Sequence, residues 1–192
     1  HIIEVLDYDR FRLLGHTRDD AAGEAFDKVA RALGLPYPGG PELEKLAFEG
    51  DPMKYPFHSA LNSSAEEPDF SFSGIKTAVV NLMHNAAQKG ETLSKADIAA
   101  SFQRAVCDTL TLKALHAARA HGFNTLALAG GVSANRALRS SLARACEEQG
   151  IRFCCPDFRY CTDNAAMIAC AGHYALMAGE LSGLDLNAAP EL

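Results

Sequence analysis

The amino-acid sequence predicts an α/β fold, and the clearest evidence for it lies in the second half of the chain. The continuous apolar run at 125–129 is typical of a β-strand that is covered on both faces. Gly130 and Gly131 end this run, a helical pattern follows at 134–149, and a second apolar run occupies 151–155. The order strand, helix, strand predicts a βαβ unit with parallel strands and a right-handed crossover.

The first forty residues predict a hairpin, a helix and a turn. Two short apolar runs, 2–6 and 11–15, flank polar residues and predict a β-hairpin. Thr17 stands at the expected N-cap of a helix whose apolar residues recur at helical spacing, and Gly34 ends that helix. The segment 35–41 contains three prolines and a pair of glycines, so we expect a rigid turn through which no regular structure runs.

The middle of the chain predicts two further helices. Residues 48–68 are rich in Pro, Asn, Ser and charged residues, which indicates a long surface loop. The alternation at 70–72 predicts a short strand that leads into a helix over 73–87. Ser94 then begins a capping-box pattern, and the long amphipathic helix that follows ends at Gly122.

The composition excludes some classes of protein. The 192 residues are 48% hydrophobic and 22% charged, which is typical of a globular protein with a substantial core. The net charge of −6 predicts no strong attraction to a phosphate backbone, so a nucleic-acid substrate would need a local basic patch or a partner. No apolar run is long enough for a membrane span and no signal peptide is evident, so we expect a cytoplasmic protein without membrane contact.

The six cysteines and the first residues support two further expectations. No pair of cysteines has the spacing of a zinc site, and several lie in apolar runs, so we expect buried free thiols. The chain opens on His1 and a strand-like run rather than on Met, which indicates a cut chain, and a tag is one source for His1.

The turn after the first parallel strand is a candidate ligand site. Gly130 and Gly131 allow a ligand to approach the backbone closely, and the first turn of the next helix offers free N–H groups, so a phosphate or adenylate would suit this place. Ser133 is the expected cap of that helix, and Asn135 in its first turn has a side chain suited to a sugar or base. An ordinary strand-to-helix turn with a serine cap is the simpler interpretation.

A second candidate precedes the last predicted helix, which runs from near 163 to about 178. Thr162 or Asp163 would serve as its N-cap, and from spacing alone capping is the favoured interpretation. Asp163 also follows the second parallel strand, on the side where open α/β sheets place their ligands, and a carboxylate there could coordinate a cation.

Carboxylates on the first predicted helix form a third candidate. Asp20, Glu24 and Asp27 would lie on one side of the helix, opposite its apolar stripe. A solvated face with Glu24–Lys28 and Asp27–Arg31 ion pairs, each contributing ~0.3 kcal/mol, is the alternative. The residues alone therefore predict an α/β nucleotide-binding enzyme and no particular reaction.

Four segments of the chain resemble the TsaD family, formerly described as O-sialoglycoprotein endopeptidases. They occur in the order and at the spacing found in that family, and they span nearly the whole chain. The segments are DDAAGEAFDKVARALGLPYPGGP at 19–41, FSFSGIKTAV at 70–79, AGGVSANRALR at 129–139 and CTDNAAMIACAG at 161–172.

The resemblance implies a fold and a division of the chain. The family has the two-lobed actin-like ATPase architecture (the ASKHA, ribonuclease H-like fold), and this chain resembles mainly the second lobe, the C-terminal portion of the enzyme. Residues 1–160 would form that lobe with a truncated start. Residues 161–192 would form a terminal helix and tail that returns to the first lobe.

The resemblance also implies a ligand set. Asp27, Gly40 and Asn135 would contact the adenylate ligand, and Gly130 and Gly131 would hold its phosphate. Asp163 would bind one divalent metal ion, iron or zinc, which reverses the preference for capping. The family's other metal ligands, two histidines in a His-x-x-x-His motif, and its Ser-Gly-Gly loop lie upstream of the family segments found here, and no histidine of this sequence matches them.

The function implied is transfer of a threonylcarbamoyl group from threonylcarbamoyl-adenylate to N6 of adenosine 37 in tRNA, with the metal orienting and polarising the adenylate. By resemblance the ligand would be this adenylate or an ATP-like molecule, and the partners a TsaB-like paralogue and a TsaE-like ATPase, with the tRNA as substrate. We expect the fragment alone to be inactive.

The alternatives are another actin-like kinase or ATPase that uses the carboxylates at Asp20, Glu24 and Asp27 as a base, and a non-catalytic lobe that binds adenylate or a partner. No HExxH motif supports a peptidase.

Overall fold

A computed structural model describes residues 1–58 and 64–187 of the chain. Within these residues it contains both helices and strands, as an α/β chain should. The elements in order are β1 (Ile2–Val5), β2 (Phe11–Gly15), α1 (Ala22–Ala32), α2 (Gly39–Ala47), α3 (Ser73–Lys89), α4 (Lys95–Ala120), β3 (Thr125–Ala127), α5 (Arg136–Glu148), β4 (Arg152–Cys154) and α6 (Ala165–Met177), with short 3₁₀ helices at Gly131–Ala134 and Phe158–Tyr160.

The strands confirm two predictions and correct a third. β1 pairs with β2 in an antiparallel hairpin, and β3 pairs with β4 in parallel with α5 between them in the chain, so the hairpin and the βαβ unit are both present. The expectation that β3 is covered on both faces is wrong: Thr125 and Ala127 are exposed and Leu126 is half-buried. Among the described residues β3 and β4 form a two-stranded sheet, and its packed face contributes Leu126 and Phe153 to the core.

Three helix predictions hold in outline. α3 and α4 occupy the predicted places, and the Ser94 side chain accepts a hydrogen bond from the Asp97 amide, 3.1 Å away, which is the N-cap half of a capping box. The Asp97 carboxylate accepts from the Asp51 amide at 2.9 Å. α1 begins at Ala22 rather than beside Thr17, because the Thr17 hydroxyl donates to the Asp20 carbonyl and closes a turn before the helix. The predicted strand at 70–72 is also wrong, since Phe70 forms only an isolated bridge with Thr17.

The prediction of a turn over the whole of 35–41 is wrong, because α2 begins at Gly39. Pro41 lies in the first turn of α2, where a backbone N–H has no partner within the helix and its absence costs little. The turn itself is tight, with a cis peptide bond between Tyr37 and Pro38.

The main core lies among the first four helices. Phe26 of α1 contacts Phe102 of α4 edge to face, with ring centroids 5.2 Å apart. Leu43 of α2 and Val79 of α3 are fully buried in the same cluster. A smaller cluster joins α4 and α5 to β3 and β4 around Cys146. The helices of the first half therefore support the βαβ unit through the long helix α4.

The last helix, α6, is apolar and exposed. None of its residues is buried, and Ile168 and Met177 are 65% and 73% exposed. The thiols are only partly as expected: Cys107, Cys146 and Cys161 are buried, whereas Cys155 and Cys170 are exposed. Within the described ranges, no helix combines the length and the apolar character that crossing a bilayer requires.

Candidate functional site

Gly130, Gly131 and Asp163 line one cleft of about 720 Å³. It lies between the end of β3 and the beginning of α6, and Tyr160 and Cys161 form another part of its wall. Parallel strands place their carboxyl ends at the same edge of a sheet, and for that reason the segments after β3 and β4 meet here. The structure thus brings together three of the six residues predicted for the site.

Gly130 has a backbone conformation that only glycine adopts readily, with φ +85°. A Cβ added at Gly130 or at Gly131 would meet no atom within 4 Å, so the backbone there faces open space. The two glycines therefore expose main chain to the cleft, which is what a bound phosphate or sugar would need.

Asp163 does not cap the last helix. Asn164 does so instead, with its Oδ1 accepting a hydrogen bond from the Met167 amide at 3.0 Å. The prediction that Thr162 or Asp163 caps the helix is wrong, because the Asn164 side chain provides the capping oxygen. Asp163 is exposed on the cleft wall, and its carboxylate makes no hydrogen bond or ion pair to any residue that the structure describes.

A metal ion would need more than this carboxylate. Within 1–58 and 64–187, no three His, Cys, Asp or Glu side chains lie close enough together to hold one. Asp163 can supply one oxygen ligand, and the described residues do not complete a coordination shell around it.

Asn135 is the N-cap of α5, a role the sequence suggested for Ser133. Its Oδ1 accepts from the Leu138 amide at 2.8 Å, and its Nδ2 donates to Gln103 on α4, also at 2.8 Å. The Cys107 thiol lies 3.9 Å from the same oxygen, and burial raises the pKa of that thiol to about 12. The Asn135 side chain thus points inward and joins α4 to α5 rather than lining the cleft.

The free amides predicted at the start of α5 are partly occupied. The Arg136 amide donates to a carboxylate oxygen of Glu44 on α2 at 2.6 Å, and the Leu138 amide donates to Asn135. A phosphate at this helix end would have to compete with Glu44 for the first amide.

Asp27 and Gly40 lie together, away from the cleft lining. Oδ1 of Asp27 accepts from the amides of Gly39 and Gly40, at 2.9 and 3.1 Å, so α1 caps the N-terminus of α2. The first turn of α1 lies against the segment after β3, since a Cβ on Gly23 would lie 3.3 Å from Val132. Gly40 itself borders open space.

The acidic stripe predicted on α1 does not form. Asp20 lies before the helix and binds Lys28 at 2.7 Å and Lys76 at 3.3 Å. The hydrogen bond from Lys28 is the largest of the contributions that hold the pKa of Asp20 below its usual range. Glu24 pairs with Lys28 as predicted, at 2.7 Å, whereas Asp27 is directed at the amides of α2. These carboxylates serve the fold, and they do not offer a common free base.

Arg139 of α5 joins the cleft walls, and the sequence interpretation did not single it out. Its guanidinium donates to the carbonyl oxygens of Ser133 and Pro156, at 2.5 and 2.7 Å, and to the Cys161 sulfur at 3.1 Å. It also lies 4.0 Å from the centroid of the Phe158 ring. The available signal was the position of Arg139 one helical turn after Asn135, at the end of the AGGVSANRALR segment, which puts both residues on one side of the helix.

The fold and the cleft define a mixed α/β protein with a glycine-lined cleft at the carboxyl ends of two parallel strands. The family model TsaD, tRNA N6-adenosine threonylcarbamoyltransferase, matches residues 1–170. The chain belongs to this family, and the resemblance of the four sequence segments is confirmed.

Curated relatives agree with the family model. A tRNA N6-adenosine threonylcarbamoyltransferase of Moorella thermoacetica is 52% identical over 192 residues, and one of Caldicellulosiruptor saccharolyticus is 50% identical over 190 residues. The protein of the same name from Clostridium botulinum strain Hall is 48% identical over 191 residues. These alignments cover 99% to 100% of the chain and 56% of each relative, so the chain spans little more than half the length of the proteins it matches.

Proposed function

We propose that this chain carries part of the site of a tRNA N6-adenosine threonylcarbamoyltransferase. The substrates would be threonylcarbamoyl-adenylate and the N6 amine of adenosine 37 in tRNA. Membership of the family supports the reaction. The observation that carries the assignment of the site is the shared cleft, which is lined by the exposed backbone of Gly130 and Gly131 together with the exposed Asp163.

The proposed reaction is an acyl transfer. The N6 nitrogen attacks the carbamoyl carbon, a C–N bond forms, the C–O bond to the adenylate phosphate breaks, and AMP leaves while the nitrogen loses a proton. Gly130 and Gly131 would receive the adenylate where no side chain obstructs it, and Gly40 and the Asp27 cap would approach it from α2. Asn135 would act by fixing the start of α5.

Asp163 would be one ligand of a divalent ion, iron or zinc, which as a Lewis acid would stabilise charge on the reacting group. The described residues contain no group of three His, Cys, Asp or Glu side chains that could complete the coordination of that ion.

The exposure of α6 supports the proposed place of this chain in an actin-like enzyme. An apolar helix with no buried residue is typical of an element that packs on a further domain. Residues 1–160 would then belong to the second lobe and residues 161–192 would return to the first. A TsaB-like paralogue and a TsaE-like ATPase would be partners, and the enzyme would be cytoplasmic.

The test is an assay of the full gene product with threonylcarbamoyl-adenylate and tRNA, followed by detection of the modified nucleoside. We expect threonylcarbamoyl transfer and no phosphoryl transfer to sugars, because Asp20 and Asp27 are held by lysines and amides and are not free to act as a base. Phosphoryl transfer without carbamoyl transfer would favour a kinase. Calorimetry showing adenylate binding without either activity would favour a non-catalytic binding lobe.

Substitutions at Gly39 and Gly40 distinguish the contribution of α2 to stability from its contribution to the proposed site. A Cβ on Gly39 would lie 2.6 Å from the Ala30 Cβ and 3.0 Å from the Asp27 Cα, so Gly39→Ala should lower the free energy of unfolding by about 1–3 kcal/mol. Gly40→Ala adds its methyl group to open space, so it should leave stability within about 0.5 kcal/mol.

If Gly40 contacts the adenylate, Gly40→Ala should nevertheless weaken binding of a non-hydrolysable adenylate analogue by about tenfold, equivalent to ~1.4 kcal/mol. Denaturant titration and calorimetry would measure the two effects on the full gene product. Unchanged affinity in the Gly40 variant would remove this residue from the site.

A further inference from the structure

Two exposed aromatic rings stand beside the cleft. Phe158 and Tyr160, in the 3₁₀ turn after β4, are 50% and 43% exposed. We refer to these two residues together with Arg159 as the aromatic rim. Tyr160 also lines the cleft that contains Gly130 and Asp163. The rim is therefore continuous with the proposed site.

Arginines lie against both rings. The Arg139 guanidinium is 4.0 Å from the Phe158 ring centroid, and that of Arg136 is 5.7 Å from it. The Arg159 guanidinium is 4.7 Å from the Tyr160 ring centroid. These cation–π contacts hold the rings in place and leave a substantial part of each ring exposed to solvent.

The rim is a local concentration of positive charge on an acidic chain. Three arginines meet here although the net charge of the chain is −6. Two carboxylates also lie here, since Asp157 accepts a hydrogen bond from the Arg159 amide and Glu44 accepts one from the Arg136 amide, and the three arginines outnumber these two. A polyanion would thus find an attractive surface here, which the overall composition did not predict.

We propose that the aromatic rim binds unpaired nucleobases of the RNA acceptor next to the cleft, an inference that rests on the proposed function. Single-stranded RNA is recognised mainly by stacking of splayed bases on aromatic rings and guanidinium planes, together with cations that follow the phosphates. An enzyme that modifies an exocyclic amine must also hold the target base out of its stack. A rim of Phe, Arg and Tyr that opens into the cleft meets both requirements.

The stacking contribution can be tested by measuring the affinity of the full gene product for a fluorescent anticodon stem-loop RNA. Tyr160→Ala and Phe158→Ala should each weaken binding roughly 5- to 100-fold, the effect of losing one stacked base. Tyr160→Phe should bind as the wild type does, because the ring is retained. Phe48→Ala is the matched control, since Phe48 is also exposed (64%) but lies at the end of α2.

The salt dependence of RNA binding tests the contribution of the arginine charge separately. Arg159→Gln should reduce the slope of log affinity against log salt concentration by about one, as expected for one lost phosphate contact, whereas Tyr160→Ala should leave the slope unchanged. Arg144→Gln, on the exposed surface of α5, should leave both affinity and slope unchanged. The melting temperature should remain near wild type in the Tyr160 variants, which separates the rim from a general loss of structure.

The outcomes distinguish the two proposals. If the wild type neither binds nor modifies RNA, the proposed function fails. If the wild type modifies tRNA and the alanine variants of the rim bind the stem-loop with wild-type affinity and slope, the rim proposal is wrong and the rings serve another contact, such as a protein surface that covers them.

Discussion

Replacing Asp163 by alanine is expected to reduce tRNA modification by the full gene product by at least about 100-fold while leaving its folding intact. The loss follows if Asp163 is a direct ligand, because even residues that only support metal ligands change activity by about 10- to 100-fold when replaced. Stability should change by less than about 0.5 kcal/mol, because the carboxylate is exposed and Asn164 caps the helix in its place.

Three measurements separate a ligand from a structural residue. Metal content by elemental mass spectrometry should fall together with modification of tRNA, and the melting temperature should stay near that of the wild type. Asp108→Ala is the matched control, since Asp108 is an exposed aspartate of α4 that pairs with Arg104 at 3.2 Å. Wild-type turnover and metal content in the Asp163 variant would remove this residue from the proposed site.

The elements that the sequence predicted correctly are those encoded by neighbouring residues. The hairpin of β1 and β2, the Ser94 N-cap and the βαβ unit all depend on short-range patterns of apolar residues, glycines and caps. Gly34 and Gly122 end their helices with the positive φ values expected of such positions. The cleft followed from topology, because parallel strands bring their following turns together.

Helix α2 could not be predicted from its own residues. Three prolines and two glycines argue against a helix at 35–41, and the cap that permits it comes from Asp27, which is 12 residues away from Gly39 in the chain. A carboxylate that caps a neighbouring helix has no signature in the local sequence. The same reason explains why the predicted acidic stripe does not form, because the Asp27 carboxylate is directed at the amides of α2 and not at solvent.

The errors in helix caps have a different cause. Near α5 both Ser133 and Asn135 suit an N-cap, and near α6 Thr162, Asp163 and Asn164 all do. The structure uses the last candidate in each case, so that the helix begins one or two residues later than expected. In α6 this choice releases Asp163, the residue on which the proposed metal site depends.

Replacing Arg139 by methionine is expected to lower the free energy of unfolding by about 3 kcal/mol. Methionine keeps much of the aliphatic volume but cannot donate, so the carbonyl oxygens of Ser133 and Pro156 would lose a charged donor in a part-buried environment. The Phe158 ring would lose its cation at the same time. Denaturant titration of the full gene product would measure the change.

The position of Arg139 makes this loss relevant to the cleft as well as to stability. Ser133 follows the Gly130–Gly131 turn, and Pro156 and Cys161 belong to the segment that leads to Asp163, so one guanidinium fixes both walls. Adenylate affinity should therefore fall along with stability in the Arg139 variant. Arg144→Met is the control, because the Arg144 side chain is 76% exposed. This substitution should change the free energy of unfolding by less than about 0.5 kcal/mol and leave adenylate affinity unchanged. Equal stability of the two variants would show that α5 and the segment after β4 are held together by packing alone.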